Sequence, residues 1–212
     1  MSPLRTALLG LGISAAFAGA AAAQGACPPG IPAQVFCGGK TAADAQAGAY
    51  KLDPAHTGVI ARVSHIGYSY SVFRFGDVAG QLAWDPADAA KNKLTVTVKT
   101  ASIETPVPNF ATQLAGEGFL NAKAFPDATF VSTAFRKTDA THGQVEGQFT
   151  LLGKTVPVVF DVELIGAGKG FGGHPRLGVH ATTEINPKDF GMMPMFADPI
   201  PLEIDAEFEH VS

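Results

Sequence analysis

The sequence lacks the short motifs that mark the common enzyme classes. It contains no His-Glu-x-x-His zinc motif, no Gly-x-Ser-x-Gly nucleophile elbow and no Cys-x-x-Cys redox pair. Its six histidines are scattered, without a pair at the spacing that metal ligands on one helix need. We therefore predict no catalytic set, no metal site and no cofactor, and expect that the protein is not an enzyme.

Charge is also scarce, at 16% of residues, and the formal net charge is −4. A mildly acidic chain has no basic surface of the kind that nucleic acids or anionic membranes attract. We expect no nucleic-acid partner and favour a neutral or lipophilic one.

Long apolar runs are confined to the N-terminus. Residues 1–23 contain Arg5, an apolar run from Leu8 to Phe17 and then four alanines, an order typical of a cleaved secretory signal peptide. The run is too rich in Ala and Gly for a permanent membrane anchor. Cleavage would leave 14 basic against 19 acidic residues. A lipoprotein modified at Cys27 is the alternative, but the large aliphatic residue expected three places earlier is missing.

Two cysteines, Cys27 and Cys37, precede the first predicted strand. In an oxidising compartment a bond between them would close a small proline-containing loop, which we interpret as a local staple. Residues 38–49 are small and polar, so residues 24–49 are predicted to be a linker. The folded domain is predicted to span residues 50–212.

Alternating apolar residues dominate the chain from Tyr50 onward. Val59, Ala61, Val63 and His65 share one face of a predicted strand that follows a turn at Asp53-Pro54. Further strands are predicted at Phe73–Asp85, Lys93–Thr100, Thr129–Arg136 (with Phe130, Ser132 and Ala134 on one face and Phe135 on the other), Gln144–Leu152, Val156–Ile165, Leu177–Ile185 and Ile200–Phe208.

Two segments interrupt this pattern. Pro106 to Asp127 is too long for a hairpin loop, and a short helix is predicted from about Asn109, which would cover an open end or line a site. Gly168, Gly170 and Gly173 match a dinucleotide-binding spacing, but a strand follows instead of a helix, so we predict a hairpin loop.

About eight strands at hairpin spacing favour an antiparallel barrel or sandwich. An eight-stranded barrel has an interior that side chains fill or that holds one slender ligand. Fifteen Phe against three Tyr and one Trp predict an apolar interior with few polar groups.

Five ordered motifs resemble one known family. They are YKLDPAHTGVIARVSHIG at Tyr50–Gly67, SIET at Ser102–Thr105, FLNAKAFPDATFVSTAF at Phe119–Phe135, GQFTLLGKTVPVVFDVEL at Gly147–Leu164 and INPKDFGM at Ile185–Met192. Together they resemble the YceI-like (polyisoprenoid-binding) family over residues 50–208. The resemblance implies an all-β, extended, lipocalin-like antiparallel eight-stranded β-barrel with a short helix-containing excursion, located in the bacterial periplasm. It also implies a cavity for a polyisoprenoid, an isoprenoid quinone or a similar long-chain lipid, held for transport or storage.

We accordingly predict a lipid-binding site made of a wall, one covered end and a head-group contact. The predicted wall is Val59, Ala61, Val63, Leu82, Trp84, Val96 and Val98, the cover is Phe110, Leu114, Phe119 and Phe125, the head-group residue is His65, and further contacts are Phe130, Phe149, Phe160, Phe190 and Met192. Two alternatives stay open. One is an enzyme with buried polar groups around His65 or His180, and the other is an envelope stress factor whose own side chains fill the barrel. The sequence also leaves open whether the protein forms a homodimer.

Overall fold

Ten β-strands and one short α-helix form in residues 25–32, 35–194 and 198–211, the ranges that the computed structural model describes. The predicted signal peptide, residues 1–23, lies outside them. No helix among the described residues has the length and apolarity to span a bilayer. The elements are β1 (Gly48–His65), β2 (Ser69–Phe75), β3 (Val78–Trp84), β4 (Lys93–Lys99), β5 (Ile103–Glu104), α1 (Phe110–Leu114), β6 (Asp127–Lys137), β7 (His142–Leu151), β8 (Lys154–Lys169), β9 (Pro175–Ile185) and β10 (Ile200–His210).

Eight of these strands close into an antiparallel barrel. Its order is β1, β3, β4, β6, β7, β8, β9 and β10, and β10 pairs back onto β1. Strand β2 pairs with the C-terminal half of β1, on the same edge as β3, and the two-residue β5 pairs with the end of β2. The predicted barrel is therefore confirmed over the predicted sandwich, and the strand expected at Phe73–Asp85 is two strands, β2 and β3.

Alternation, interrupted by register shifts in β1, β6 and β8, places one face of each strand inside the barrel. In β10, Leu202, Ala206 and Phe208 are buried while Asp205 is exposed. The predicted helix is also present, since α1 starts directly after Asn109, and the glycine-rich segment is a hairpin loop between β8 and β9. The regular elements thus follow from the period-two pattern and its interruptions.

The turn predicted before β1 lies inside that strand. Pairing with β10 jumps from Asp53 opposite Glu207 to Gly58 opposite Asp205, so four residues of β1 lie opposite one residue of β10. The side chain of Asp53 accepts a hydrogen bond from the Ala55 amide at 3.0 Å, which is the local turn that the sequence indicated. Sequence alone did not show that β1 pairs with β10 both before and after this turn.

A second bulge corrects the predicted facing of β6. The register with β7 shifts between Ser132 and Ala134, leaving Thr133 as the extra residue. Phe135, predicted to face outward, consequently opposes the buried Val145 and turns into the barrel. One inserted residue reverses the facing of every residue that follows it in a strand.

The segment predicted to be a linker packs on the barrel. We call residues 35–47 the strap. Gly39 exchanges two backbone hydrogen bonds with Ala167 of β8, at 2.7 and 2.9 Å, and Ala45 is completely buried. A Cβ atom on Gly38 would lie 2.9 Å from the Cα of Gly166, so the small residues that suggested flexibility instead permit close backbone approach.

A disulfide holds the start of the strap. The Cys27 and Cys37 sulfur atoms are bonded, with the two Cα atoms 5.2 Å apart. Gly25 and Cys37 also form an isolated antiparallel bridge. The bond closes a local loop beside the barrel and involves no strand of its wall.

One arginine connects the three strands that close the barrel. The Nη1 atom of Arg176, on β9, lies 2.9 Å from Asp53 Oδ2 on β1 and 2.6 Å from Glu207 Oε2 on β10. Its Nη2 atom lies 3.1 Å from Glu209 Oε2. The side chain of Asp53 is 16% exposed and that of Arg176 is 23% exposed, so solvent screens these contacts only in part.

This cluster predicts a specific acid sensitivity. Hydrogen bonds from His56, Arg176 and the Ala55 amide lower the pKa of Asp53 to about 2, from its ordinary 3.8. The carboxylate therefore stabilises the fold above about pH 4, and that contribution is lost as the pH falls toward 2. We expect Asp53→Asn to lower the free energy of unfolding by about 1–2 kcal/mol at pH 6 and by almost nothing at pH 2.

Denaturant unfolding followed from pH 6 to pH 2 measures this difference. Asp198→Asn, which changes an exposed carboxylate just before β10, is the matched control and should leave the pH profile near that of the wild type. A penalty for Asp53→Asn that stays constant over the whole range would contradict the assignment.

Candidate functional site

An apolar cavity of about 370 Å³ runs inside the barrel. All eight barrel strands contribute to its lining, and β2 adds Phe73 and Phe75. The buried apolar residues form two separate clusters, and the cavity contacts both. Its volume falls in the range of small-ligand pockets, roughly 300–1,000 Å³. The alternative in which the protein's own side chains fill the barrel required no such cavity and is contradicted.

Inward alternation brings most of the predicted contact residues to this lining. Every predicted wall residue of β1, β3 and β4 is there, together with residues of the helical excursion and of the later strands. They are Val59, Ala61, Val63, Leu82, Trp84, Val96, Val98, Leu114, Phe119, Phe130, Phe149, Phe160 and Met192. Their contact with a ligand stays a prediction.

His65 is not placed where the head-group prediction needs it. It ends β1 beside the β1–β2 turn, and its side chain is exposed and outside the cavity lining. The turn that follows carries Ile66, 83% exposed, and Tyr68, 88% exposed. The β1–β2 hairpin therefore extends beyond the barrel wall, and the alternation that pointed His65 inward ends before it.

Three predicted aromatic contacts pack behind the lining instead of in it. Phe110 has its ring 6.3 Å from that of Phe73 and 6.5 Å from that of Phe119. Phe190 is 1% exposed and packs edge-on against Phe149 at 5.5 Å. Phe125 packs on the Gly153 turn between β7 and β8. These rings support the cavity wall from outside.

The two ends of the cavity differ, because one is closed and the other opens to the surface. At the helix end, which is formed by α1 and the segment after it, Leu114 and Leu120 are buried and Phe119 is half-buried. The described lining residues at that end include no exposed side chain. The helix end is thus a closed apolar cap.

The strap end opens to the surface. There the lining continues from Ala42 of the strap to exposed residues, namely Pro86 and Ala89 after β3 and Lys137 and His142 of the β6–β7 hairpin. We call this opening the mouth. An amphiphile whose tail lies in the barrel would present its polar end here.

Charged groups of both signs line the mouth. The Ala87 amide and Lys91 lower the pKa of Asp85, and the Thr141 and His142 amides lower that of Asp139 to about 2. Both carboxylates are therefore ionised at neutral pH. Lys91 lies 3.2 Å from Asp85, and Arg136 pairs with Glu146, so much of the positive charge is already compensated.

Neither histidine named in the enzyme alternative lies in the cavity. His65 is exposed, and His180 lies on the outer face, where its Nδ1 is 2.9 Å from Asp205 Oδ1. Ligand atoms of Asp53, His56 and Glu207 lie within 4.8 Å of one another. The guanidinium of Arg176 already contacts both of those carboxylates, so we assign no metal site there.

The sequence analysis missed the polar residues of the lining. Thr57, Asn92 and Thr100 are 6%, 5% and 1% exposed and all line the cavity. Each lies in a bulge or next to a 3-10 turn, where period-two alternation carries no information about facing. The sequence carries no signal for their burial, because Thr and Asn are typical of turns and strand ends whether exposed or buried.

Comparison with known proteins assigns this barrel to a family. Residues 50–208 match the sequence model of the YceI-like domain. The chain belongs to the YceI-like family. A UPF0312 protein of Pseudomonas putida strain W619 is 37% identical to this YceI-like chain over 173 residues, covering 81% of the chain and 90% of the relative.

Solved structures of YceI-like proteins have the same barrel. The Campylobacter jejuni YCEI protein is 29% identical, with a TM-score of 0.63 over 71% of this chain and 91% of its own. A polyisoprenoid-binding domain from Saccharophagus degradans aligns with a TM-score of 0.57 over 78% of this YceI-like chain and all of its own. At 12% identity the latter shows the fold alone.

Proposed function

We propose that this protein binds a long-chain isoprenoid lipid, such as a polyprenol or an isoprenoid quinone, in the barrel cavity, for transport or storage in the periplasm. The observation that carries the proposal is the continuous apolar cavity, closed at the helix end and open at the mouth. The ligand class is the one named for the Saccharophagus degradans domain that shares the fold.

Physical chemistry favours a chain-like apolar ligand. Each methylene moved from water into such a cavity contributes about 0.8 kcal/mol, so a long tail needs few polar contacts for tight binding. The wall contains aromatic and branched apolar side chains, such as Val96 and Phe160. A lipid tail that packs against them buries no charged group of the protein. Cargo of this kind suits the predicted exported location, which residues 1–23 would direct.

The cargo can be identified by native mass spectrometry of the protein purified from the periplasm of its own host. We expect a stoichiometric adduct with the mass of a long-chain lipid, which organic extraction removes. The same spectrum reports whether residues 1–23 have been cleaved and whether the protein is a monomer or a homodimer.

Protein that shows only its apo mass, and takes up neither added polyprenols nor quinones, would refute lipid binding. Protein released from a cytoplasmic fraction with an uncleaved N-terminus would refute the periplasmic location alone. The two parts of the proposal can therefore fail separately.

A further inference from the structure

Two hydrogen-bond donors at the strap end have no partner among the described residues. The indole Nε1 of Trp84 is buried without one. Asn92, directly before β4, is 5% exposed and lines the cavity. Buried donors are nearly always paired in folded proteins, so the unpaired indole N–H of Trp84 calls for an explanation.

The orientation of the Asn92 amide is fixed by the backbone. Its Oδ1 accepts a hydrogen bond from the Asp85 amide at 2.7 Å. A backbone N–H can only donate, so the atom facing it must be the oxygen and the other must be Nδ2. Nδ2 therefore presents two hydrogens, and no described residue accepts either of them.

The two buried hydroxyls of the lining are already engaged. The Thr100 hydroxyl, at the helix end, donates to the Phe125 carbonyl at 2.8 Å. The Thr57 hydroxyl donates to the Asp53 carbonyl at 2.8 Å. Among the buried polar side chains of the lining, the free donors therefore lie beside the mouth.

The mouth also selects against one class of head group. Asp85 and Asp139 are both ionised there, and a phosphate would bring further negative charge close to them. Of the cations near the mouth, Lys91 and Arg136 are paired with Asp85 and Glu146, and Lys137 forms no ion pair with another described residue. An uncharged oxygen acceptor meets the free donors without this repulsion.

We propose that Asn92 Nδ2, with Trp84 Nε1 as second donor, binds the oxygen of an uncharged head group, a carbonyl or hydroxyl, at the strap end, and that the tail runs toward α1. This rests on the proposed lipid-binding function and deepens it by giving the ligand a direction and a head-group class.

Three probes that share the same hydrocarbon tail test the proposal. They are geranylgeraniol, its monophosphate and the matching hydrocarbon without the hydroxyl. Trp84 is the single tryptophan, so its emission reports binding directly. We expect the wild type to bind the alcohol about five- to tenfold more tightly than the hydrocarbon, as one neutral hydrogen bond provides. The emission should shift to longer wavelength with the alcohol only.

Asn92→Asp keeps a side-chain oxygen that can accept the hydrogen bond from the Asp85 amide, and it replaces the Nδ2 donor with a second oxygen. The probe for this variant is geranylgeranial, whose carbonyl oxygen can only accept, because a hydroxyl could donate to the new carboxylate. Asn92→Asp should bind geranylgeranial only as tightly as the hydrocarbon, with hydrocarbon affinity unchanged. Asn186→Asp is the matched control, because Asn186 Oδ1 likewise accepts from a turn amide, that of Lys188 at 3.1 Å, outside the cavity lining. If Asn92→Asp does not fold, Trp84→Phe, followed by native mass spectrometry, should reduce the same preference.

The outcomes separate the two proposals. Equal loss of geranylgeranial and hydrocarbon affinity in Asn92→Asp, or no loss at all, would overturn the head-group assignment. Tighter binding of the monophosphate than of the alcohol by the wild type would overturn the head-group class. Failure of the wild type to bind any of the three probes would overturn lipid binding itself.

Discussion

Replacing Ala181 with tryptophan is expected to abolish lipid binding and leave the barrel folded. Ala181 lies on β9 between Val162 of β8 and Ile204 of β10, and it lines the cavity. It belongs to neither buried cluster, so an indole there projects into open space and does not overpack a core. Displacing three to five methylenes of a ligand would cost about 2.5–4 kcal/mol, roughly a hundredfold or more in affinity.

Lipid uptake measured by native mass spectrometry, with the thermal midpoint recorded in parallel, tests this expectation. Ala79→Trp is the matched control, since Ala79 is exposed on the outer face of β3 and the same ring there cannot reach the cavity. Undiminished uptake by a folded Ala181→Trp protein would show that the ligand does not occupy the barrel.

Truncating Phe190 is expected to produce the largest loss of stability of any change considered. Phe190 is 1% exposed, packs on Phe149 and belongs to the cluster at the helix end. A buried Phe→Ala change costs about 3–5 kcal/mol, through lost burial and the cavity left behind. For a chain of this size the thermal midpoint should fall by roughly 10 °C.

Phe36→Ala is the matched control, because it makes the same substitution in the strap, where the side chain is 38% exposed. It should lower the free energy of unfolding by about 1 kcal/mol or less. Thermal and denaturant unfolding compare the two variants. If their losses were equal, the packing assigned to Phe190 would be wrong.

The barrel was predictable because most of its strands have regular alternation. The inward faces of β3, β4 and β10 follow directly from period-two patterns, and the helical excursion from a break in that pattern. The errors lie where the backbone departs from that period. Thr133 is an extra residue that leaves no mark in the sequence, yet it decides that Phe135 faces inward.

The strap was mispredicted for a different physical reason. Small residues such as Gly38 and Gly39 indicate both flexible linkers and close backbone contacts, and only the position of β8 decides between the two. His65 was misplaced because the length of the hairpin beyond the wall depends on tertiary pairing. The donors Trp84 and Asn92 became visible only when their hydrogen bonds could be accounted for.

Closure of the barrel by its first and last strands also constrains the order of folding. Tyr50 pairs with His210, so the contact that completes the cylinder joins positions near opposite ends of the domain. Such non-local pairing raises the contact order and slows folding, because a long loop must close before the pairing stabilises it. A chain still emerging from a ribosome, with β10 not yet free, can form hairpins but no closed barrel. The cavity can therefore form only after the last strand has been synthesised and has paired with the first.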